Sequence, residues 1–316
     1  MNDVLQILFV LALMSVGIFA RRRGLTSETG TKEMARLLVA VVYPCLVVSS
    51  VVRLDAAELL ARRAMPLLTA GIAAAGFLLG TFALRLLPAA DRRKTGAFLF
   101  QSAINNYLFL PLPLVLWRWG EEGVALLIFS SLGFEATLWS LGVAWMRRGA
   151  APRNAAPRPG FFSPPLVALL LSLSWVFARD LAGVRIPPHL PRETADLFLA
   201  GAQAIGNATI ALSMLVAGSR IATLRFGGAA DPHVFAIVAI RLLAVPLLFL
   251  SLLKCFAMDD VAYGILAVVA VMPTAIAGIV FAERFDGDAE FVGTTLVLTH
   301  LAALVTVPLL LAWALN

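Results

Sequence analysis

Two adjacent amides, Asn105 and Asn106, precede two closely spaced prolines, Pro111 and Pro113, inside a long apolar run. A proline in a helix interior removes one backbone hydrogen bond and clashes with the carbonyl group four residues earlier. The amides would therefore lie beside unwound backbone, where they could donate and accept hydrogen bonds. The pattern predicts a ligand-binding break in a helix, and a pair of ordinary proline kinks capped by amides is the alternative.

Pro273 and Thr274 interrupt a second apolar run in a similar way, and small residues follow them up to Gly278. Inside a bilayer, backbone groups freed by a break need partners, so breaks occur where they face protein or a water-filled cavity. Interrupted helices at matching positions in two halves of a chain indicate a transporter binding site. The two interruptions are therefore the strongest sequence indication of a site.

Three ionisable residues, Glu135, Arg241 and His300, lie well inside apolar runs. A charge at the bilayer centre is costly, so such a residue normally faces the protein interior and pairs. Glu135 and Arg241 are opposite in sign, which predicts either a substrate or coupling-ion site or a structural ion pair, with Arg241 alternatively snorkelling to the membrane surface. Glu135 and His300 are candidate proton relays, and a neutral packing role is the alternative for His300.

Polar residues also mark two further runs. Tyr43 precedes Pro44, and Gln203 and Asn207 lie one turn apart on a single helix face. Hydrogen bonding between helices is the alternative to ligand binding for these residues. The candidate substrate-binding residues are Asn105, Asn106, Pro111, Pro273, Thr274, Arg241, Glu135, Tyr43 and Asn207.

The elements that carry these residues are long apolar runs. The chain has 316 residues, of which 60% are hydrophobic and 14% are charged, and its mean hydropathy is +0.90. A soluble core cannot bury this much apolar surface, so the composition excludes an ordinary soluble enzyme and indicates a bilayer as solvent. At about 20 residues per crossing, the length fits about ten transmembrane helices. The runs are 4–20, 34–52, 66–87, 96–116, 124–146, 164–178, 197–219, 234–253, 261–282 and 291–314.

Lys and Arg residues are unevenly distributed between the loops. The loops after the first, third, fifth, seventh and ninth runs carry about twice as many as the loops on the opposite side. The positive-inside rule places the richer loops in the cytoplasm and both termini outside it.

A Pro- and Arg-rich stretch at residues 147–163 lies in the middle of the chain. It predicts a short cytoplasmic linker between two repeats, 1–146 and 164–316. Each repeat has an odd number of helices, so the second must be inverted relative to the first. The predicted fold is an all-α polytopic membrane protein with ten transmembrane helices, arranged as two inverted five-helix repeats with helices 4 and 9 broken.

The remaining sequence features exclude several classes of partner and chemistry. The net charge is +6, and the Lys and Arg residues are clustered between the apolar runs, as the topology of a membrane protein requires. No nucleic-acid partner is therefore expected. Cys45 and Cys255 lie in or beside apolar runs and predict no disulfide framework. The sequence has no Walker, Rossmann, zinc or nucleophile-elbow pattern. We expect no enzyme activity, metal or cofactor; the lipid bilayer and a small substrate are the expected partners, with a homodimer left open.

The sequence resembles the auxin efflux carrier family, in the bile-acid, arsenite and riboflavin-type transporter superfamily, over nearly its whole length. The resemblance includes the five-plus-five layout and Asn105-Asn106 before Pro111-Leu112-Pro113-Leu114. In the second half it rests on Met272-Pro273-Thr274-Ala275, Ala282-Glu283-Arg284-Phe285-Asp286-Gly287-Asp288, Thr294-Thr295 and Thr306-Val307-Pro308-Leu309. Members of the family usually carry glycines where this chain has Tyr107, Leu108 and Phe109.

The resemblance implies that the helices form two domains with different roles. Helices 1, 2, 6 and 7 would form a scaffold, and helices 3–5 and 8–10 a mobile transport domain, with the broken helices 4 and 9 crossing at the substrate. It also implies organic-anion substrates, such as small carboxylates or indole-acetate-like acids. We expect an integral multi-pass protein of the bacterial inner membrane.

These observations predict a secondary active transporter that moves a small organic anion by alternating access. Helix N-termini, amides and Arg241 at the crossing would suit a carboxylate. A sodium-coupled symporter of the bile-acid type is an alternative, but it would need several carboxylates near the crossing, where the sequence offers Glu135. A membrane-embedded receptor or channel is the alternative from another class.

Overall fold

The computed structural model of the chain describes residues 2–148, 163–183, 193–223 and 230–315. The regular elements in these ranges are all helical, which confirms the all-α fold class. Helices α1 to α8 are Asn2–Arg22, Glu28–Leu37, Tyr43–Val51, Ala56–Ala61, Ala64–Ala83, Arg92–Ala103, Pro111–Thr137 and Val143–Arg148. Helices α9 to α16 are Pro164–Leu181, Glu193–Gly206, Ala208–Ile221, Pro232–Ala239, Val245–Leu253, Asp260–Ala270, Ala277–Arg284 and Ala289–Leu315.

Within the described part of the chain, seven helical segments are long and apolar enough to cross a membrane. They are Glu28–Val51, Ala64–Ala83, Pro111–Arg147, Pro164–Leu181, Leu197–Ile221, Pro232–Leu253 and Ala289–Leu315. This confirms a multi-span membrane protein, whereas the ten-helix inverted repeat stays a prediction. Most of the predicted linker at 147–163, namely residues 149–162, lies outside the described residues.

The predicted fourth and ninth crossings are divided into shorter helices. α6 has 12 residues and α14 has 11, and at a rise of about 1.5 Å per residue neither spans a hydrocarbon core of about 30 Å. The chain leaves helical conformation at residues 104–110 and again at 271–276. We call these the first break and the second break.

Gly120 divides α7 into two helices. Its backbone has φ 64° and ψ −156°, a conformation that glycine adopts without steric cost. The residues from Pro111 to Gly120 continue the predicted fourth crossing beyond the first break, and those after Gly120 form the fifth.

Among the described residues, three π-helical segments join neighbouring helices into longer continuous helices. They link α2 to α3, α7 to α8 and α12 to α13, and they are Leu38–Val42, Leu138–Gly142 and Ile240–Ala244. Wide turns of this kind occur frequently at functional sites. Arg241 lies within the third segment, and Glu135 lies three residues before the second.

Large apolar side chains point outward from several helices. Leu67, Leu78 and Leu181 are 76%, 66% and 92% exposed on the isolated chain. Extensive exposed apolar surface is rare on soluble monomers, and a lipid environment accounts for it. The outer surface therefore agrees with the composition.

Helix contacts divide the chain into two groups. In the first group, α1 packs along α11, and α3 packs against α9 and α10. In the second group, α5 packs against α6 and α7, α14 packs against α5 and α7, and α16 packs against α6, α12 and α15. The groups contact each other mainly where α3 and α1 meet α7. The scaffold and the mobile transport domain that the resemblance implies stay predictions.

α5 approaches α6 closely beside the first break. A Cβ atom on Gly76 would lie 2.0 Å from the carbonyl oxygen of Ser102, so the backbone would have to move. We expect Gly76→Ala to lower the free energy of unfolding by about 1–3 kcal/mol, as overpacking does. Gly71→Ala on the same helix is the control, because the nearest atom to its Cβ would be 3.9 Å away. Equal melting temperatures for the two variants in detergent would contradict this close contact.

Candidate functional site

The two breaks meet through backbone hydrogen bonds. Asn105 and Thr274 form an isolated antiparallel bridge. The Asn106 N–H donates to the Pro273 carbonyl at 2.8 Å, and the Ala275 N–H donates to the Ile104 carbonyl at 3.3 Å. These bonds satisfy groups that the breaks release from helical pairing. Residues predicted separately at two distant positions in the sequence are thus brought together.

The side chain of Asn105 stabilises the crossing itself. It is fully buried, and its Nδ2 donates to the Val269 carbonyl, in the last turn of α14, at 2.6 Å. One of the carbonyls that a helix C-terminus leaves unpaired is therefore satisfied from the opposite break. The Asn105 Oδ1 has no partner among the described residues.

The side chain of Asn106 leaves a hydrogen-bond donor free. Its Oδ1 accepts from the Leu110 N–H at 3.3 Å, just before α7 begins. Its Nδ2 is buried and has no partner within the described part of the chain. A buried donor without a partner is costly in a native protein, so this atom is the best candidate for ligand contact at the crossing.

The prolines occupy positions other than the predicted helix interior. Pro111 is the first residue of α7, a position that lacks an intrahelical N–H partner in any case and suits proline well. Pro273 lies in the second break, where its carbonyl accepts from Asn106. Ordinary proline kinks inside continuous helices, the alternative considered from the sequence, are therefore wrong: Pro111 begins α7 after the first break, and Pro273 lies in the second break.

A group of polar residues on α6 and α16 surrounds the crossing. Thr274 lies 2.8 Å from Thr299, measured between the hydroxyl oxygens. Gln101 donates from Nε2 to the Thr295 hydroxyl at 3.0 Å, and its buried Oε1 has no described partner. Gln101, Thr295 and Thr299 were not among the site residues predicted from the sequence. The signal for Gln101 was its place one turn before Asn105 in the same run.

Arg241 binds the carbonyl ends of the two half-helices. Its side chain is fully buried, Nη1 donates to the Ser102 carbonyl at 3.4 Å, and Nη2 donates to the Met272 carbonyl at 3.5 Å. Ser102 lies in the last turn of α6, and Met272 follows α14 closely. Helix C-termini carry partial negative charge, so the guanidinium is attracted to both. Arg241 does not snorkel to a surface.

Glu135 and Arg241 do not form the ion pair considered from the sequence. The carboxylate of Glu135 instead accepts from the Tyr107 hydroxyl at 2.7 Å and from the Trp139 indole N–H at 2.9 Å. The predicted pairing was wrong because burial and opposite sign do not determine which helices face each other.

Tyr107 and Phe109 of the first break each contact another aromatic ring. The Tyr107 ring stacks on Phe134, with centroids 4.8 Å apart and planes 4° apart. Phe109 meets the ring of Tyr43 edge-on at 5.9 Å between centroids. Tyr43 therefore contacts the first break from α3, as a residue of the other helix group.

His300 and Asn207 lie outside these contacts. The Nδ1 of His300 is 2.8 Å from the Leu296 carbonyl of its own helix, and its buried Nε2 has no described partner. Asn207 is exposed and lies between α10 and α11 rather than at the breaks. A proton relay through His300 stays a prediction.

Two cavities lie between the helix groups at opposite ends of α11. The first cavity, of about 430 Å³, is lined by residues at the ends of α1 and α11 and at the starts of α2 and α16, including Arg21, Glu28, Arg220 and Glu290. The second cavity, of about 200 Å³, is lined by residues that include Ser49, Leu112, Gln203 and Asn207.

A polar cluster stands beside the second cavity. Arg53 donates to the Glu121 carboxylate at 3.1 Å and to the Gln203 Oε1 at 2.6 Å, and Gln203 donates from Nε2 to Glu121 at 2.5 Å. Arg53 and Gln203 belong to the first helix group and Glu121 to the second. We call these three residues the Arg53 cluster, and it ties the two groups together at this end.

Known proteins match nearly the whole chain. A family model described as "Membrane transport protein" matches residues 4–311. An uncharacterized transporter of Methanothermobacter thermautotrophicus is 24% identical over 314 residues, covering 98% of this chain and 97% of that protein. An uncharacterized transporter of Methanocaldococcus jannaschii is 24% identical over 315 residues, covering 96% of each chain.

Proposed function

The chain belongs to the auxin efflux carrier family of membrane transport proteins, and on this premise we propose that it carries a small organic anion, a carboxylate, by alternating access. The observation that carries the proposal is the buried, unpartnered Nδ2 of Asn106 at the contact between the two breaks. An amide N–H donor fits a carboxylate oxygen.

The half-helices support the same charge preference. α7 begins at Pro111, directly after the first break, and α15 begins at Ala277, directly after the second. The first turn of a helix presents unpaired N–H groups and partial positive charge. Two such termini beside one amide donor favour an anion, as in the broken helices of other transporters.

The arrangement of the helices supports a ten-helix inverted repeat. α6 with the start of α7 would form the fourth crossing, and α14 with α15 would form the ninth, each broken near its middle. We propose that both termini lie outside the cytoplasm of a bacterial inner membrane, as the distribution of Lys and Arg predicts. In this orientation, the first cavity opens to the cytoplasm and the Arg53 cluster closes the outer side.

The two ends of the group interface differ in a way that supports alternating access. The larger cavity, of about 430 Å³, lies at one end, while the Arg53 cluster links the two groups at the other. Movement of the second group against the first would break the Arg53 cluster and close the larger cavity. We propose that the second group carries the anion in this way.

Counterflow in proteoliposomes tests the proposal. Vesicles containing the purified full chain are preloaded with unlabelled indole-3-acetate, lactate or succinate, and uptake of the same labelled acid is followed. We expect saturable exchange of at least one of these acids, with protein-free vesicles as the control. Flux that does not saturate would indicate a channel. Exchange that requires sodium on both sides would favour the bile-acid type of symporter. Exchange of an organic cation of similar size, with none of the acids, would contradict the proposal.

A further inference from the structure

Glu135 is a buried carboxylate whose described hydrogen-bond partners are all uncharged. They are the Tyr107 hydroxyl and the Trp139 indole N–H. Among the described residues, no Lys, Arg or His forms an ion pair with it. An acidic side chain inside a membrane protein without a cationic partner is the kind of group that proton relays use.

The hydrogen bonds of Glu135 suit both of its protonation states. The Tyr107 hydroxyl can donate to a carboxylate or accept from a protonated carboxyl group, whereas the Trp139 N–H can only donate. A proton on Oε1 would reverse the bond to Tyr107, while Oε2 would still accept from Trp139. Both carboxyl oxygens of Glu135 therefore keep a hydrogen bond in either protonation state.

Tyr107 connects this carboxyl group to the crossing. It follows Asn106 in the first break, and its ring stacks on Phe134, the residue before Glu135. A reversal of the Tyr107–Glu135 hydrogen bond therefore acts on the same short segment that presents the Asn106 amide.

The same carboxyl group lies where the two helix groups meet. Ser163, the N-cap residue of α9 in the first group, lies near the carboxyl group of Glu135, which belongs to the second group. Tyr43 on α3 lies near Ser131, one turn before Glu135. The titratable side chains that face Glu135 are thus Tyr107 from the first break and Tyr43 from α3. A change in charge here occurs at the surface along which the groups would move.

We propose that Glu135 is the proton-binding site of a proton–anion symporter, with Tyr107 as its positioning residue. The proposal rests on the proposed anion transport and names its coupling ion. An ionised Glu135 repels an anion at the crossing through a medium of low dielectric, and one bound proton removes that repulsion. Proton and anion therefore favour each other's binding. The proton and the anion bind on the same side of the membrane, and both are released on the opposite side.

The first test needs no substrate. The full chain is reconstituted on a solid-supported membrane, and the transient current after a pH jump is recorded in sodium-free buffer. We expect a charge displacement in the wild type that Glu135→Gln abolishes. Glu33→Gln, the same change at an exposed carboxylate of α2, is the matched control and should leave the displacement intact.

Tyr107→Phe tests the positioning role. This variant keeps the ring that stacks on Phe134 and removes the hydroxyl that bonds Glu135. We expect the pH midpoint of the displacement to move by about one unit, the effect of about 1.4 kcal/mol between the two protonation states. An unchanged midpoint in a stable Tyr107→Phe protein would overturn this role.

The second test measures coupling with labelled lactate, indole-3-acetate and succinate. For Glu135→Gln, we expect the accumulation driven by a pH gradient, divided by the counterflow rate of the same variant, to fall at least about tenfold relative to the wild type. Retained pH-driven accumulation in this variant would overturn the proposal, as would wild-type exchange with no displacement after a pH jump. The charge displacement after a pH jump could depend on Glu135 while no carboxylate or other organic anion is exchanged. That result would contradict the proposed function but would still support Glu135 as a proton-binding site.

Discussion

Asn106→Ala is expected to lower carboxylate flux at least about tenfold while the protein still folds and reaches the membrane; tenfold corresponds to about 1.4 kcal/mol. The Nδ2 of Asn106 is buried at the crossing without a described protein partner, so the one described side-chain hydrogen bond that the substitution removes is that from the part-buried Leu110 N–H to Oδ1, at 3.3 Å. A carboxylate at the crossing would lose a hydrogen bond of about this strength. Counterflow of labelled acid, normalised to folded protein in the vesicles, measures the effect.

Two other amides are compared with Asn106. Asn207→Ala makes the same change at a residue that lines the second cavity away from the breaks, so its flux distinguishes a contact at the breaks from one along that cavity. Asn105→Ala should instead lower the melting temperature, because its Nδ2 donates to the Val269 carbonyl. Normal flux in Asn106→Ala would remove this amide from the substrate site.

Replacement of Arg241 is expected to have the largest effect on stability. Gln is too short to reach both the Ser102 and Met272 carbonyls, and an unsatisfied buried carbonyl costs about 1–3 kcal/mol. A buried ion pair can often be replaced by apolar residues without loss, because both charges are removed. Here the partners are backbone carbonyls at two helix ends, and no substitution at Arg241 removes them. Thermal unfolding of purified Arg241→Gln in detergent measures the loss.

A series of substitutions distinguishes a structural role of Arg241 from a role in substrate binding. Arg241→Lys keeps the charge and should recover part of the stability, whereas Arg284→Gln, at an exposed arginine, should be close to neutral. A stable Arg241→Gln protein with a raised apparent substrate constant would show that the guanidinium holds the anion. A stable variant with normal substrate affinity would contradict both roles.

The sequence was sufficient for the class of fold and for the position of the breaks. Continuous apolar runs, clustered Lys and Arg, and prolines within the runs are local signals, and each acts on its own stretch of backbone. Both interruptions coincide with the amides and prolines that indicated them, at residues 104–110 and 271–276. The order of the motifs also identified the family correctly.

The partners of the buried polar groups were decided by the tertiary structure. Arg241 bonds carbonyls 139 and 31 residues away in the chain, and Glu135 bonds Tyr107 rather than Arg241. Asn105 and Asn106 have the same side chain, yet one satisfies Val269 and the other keeps a free donor. Periodicity and hydropathy place a residue in a helix and at a depth in the membrane. They carry no information on which distant backbone group comes within about 3 Å, because that distance depends on how all the helices pack.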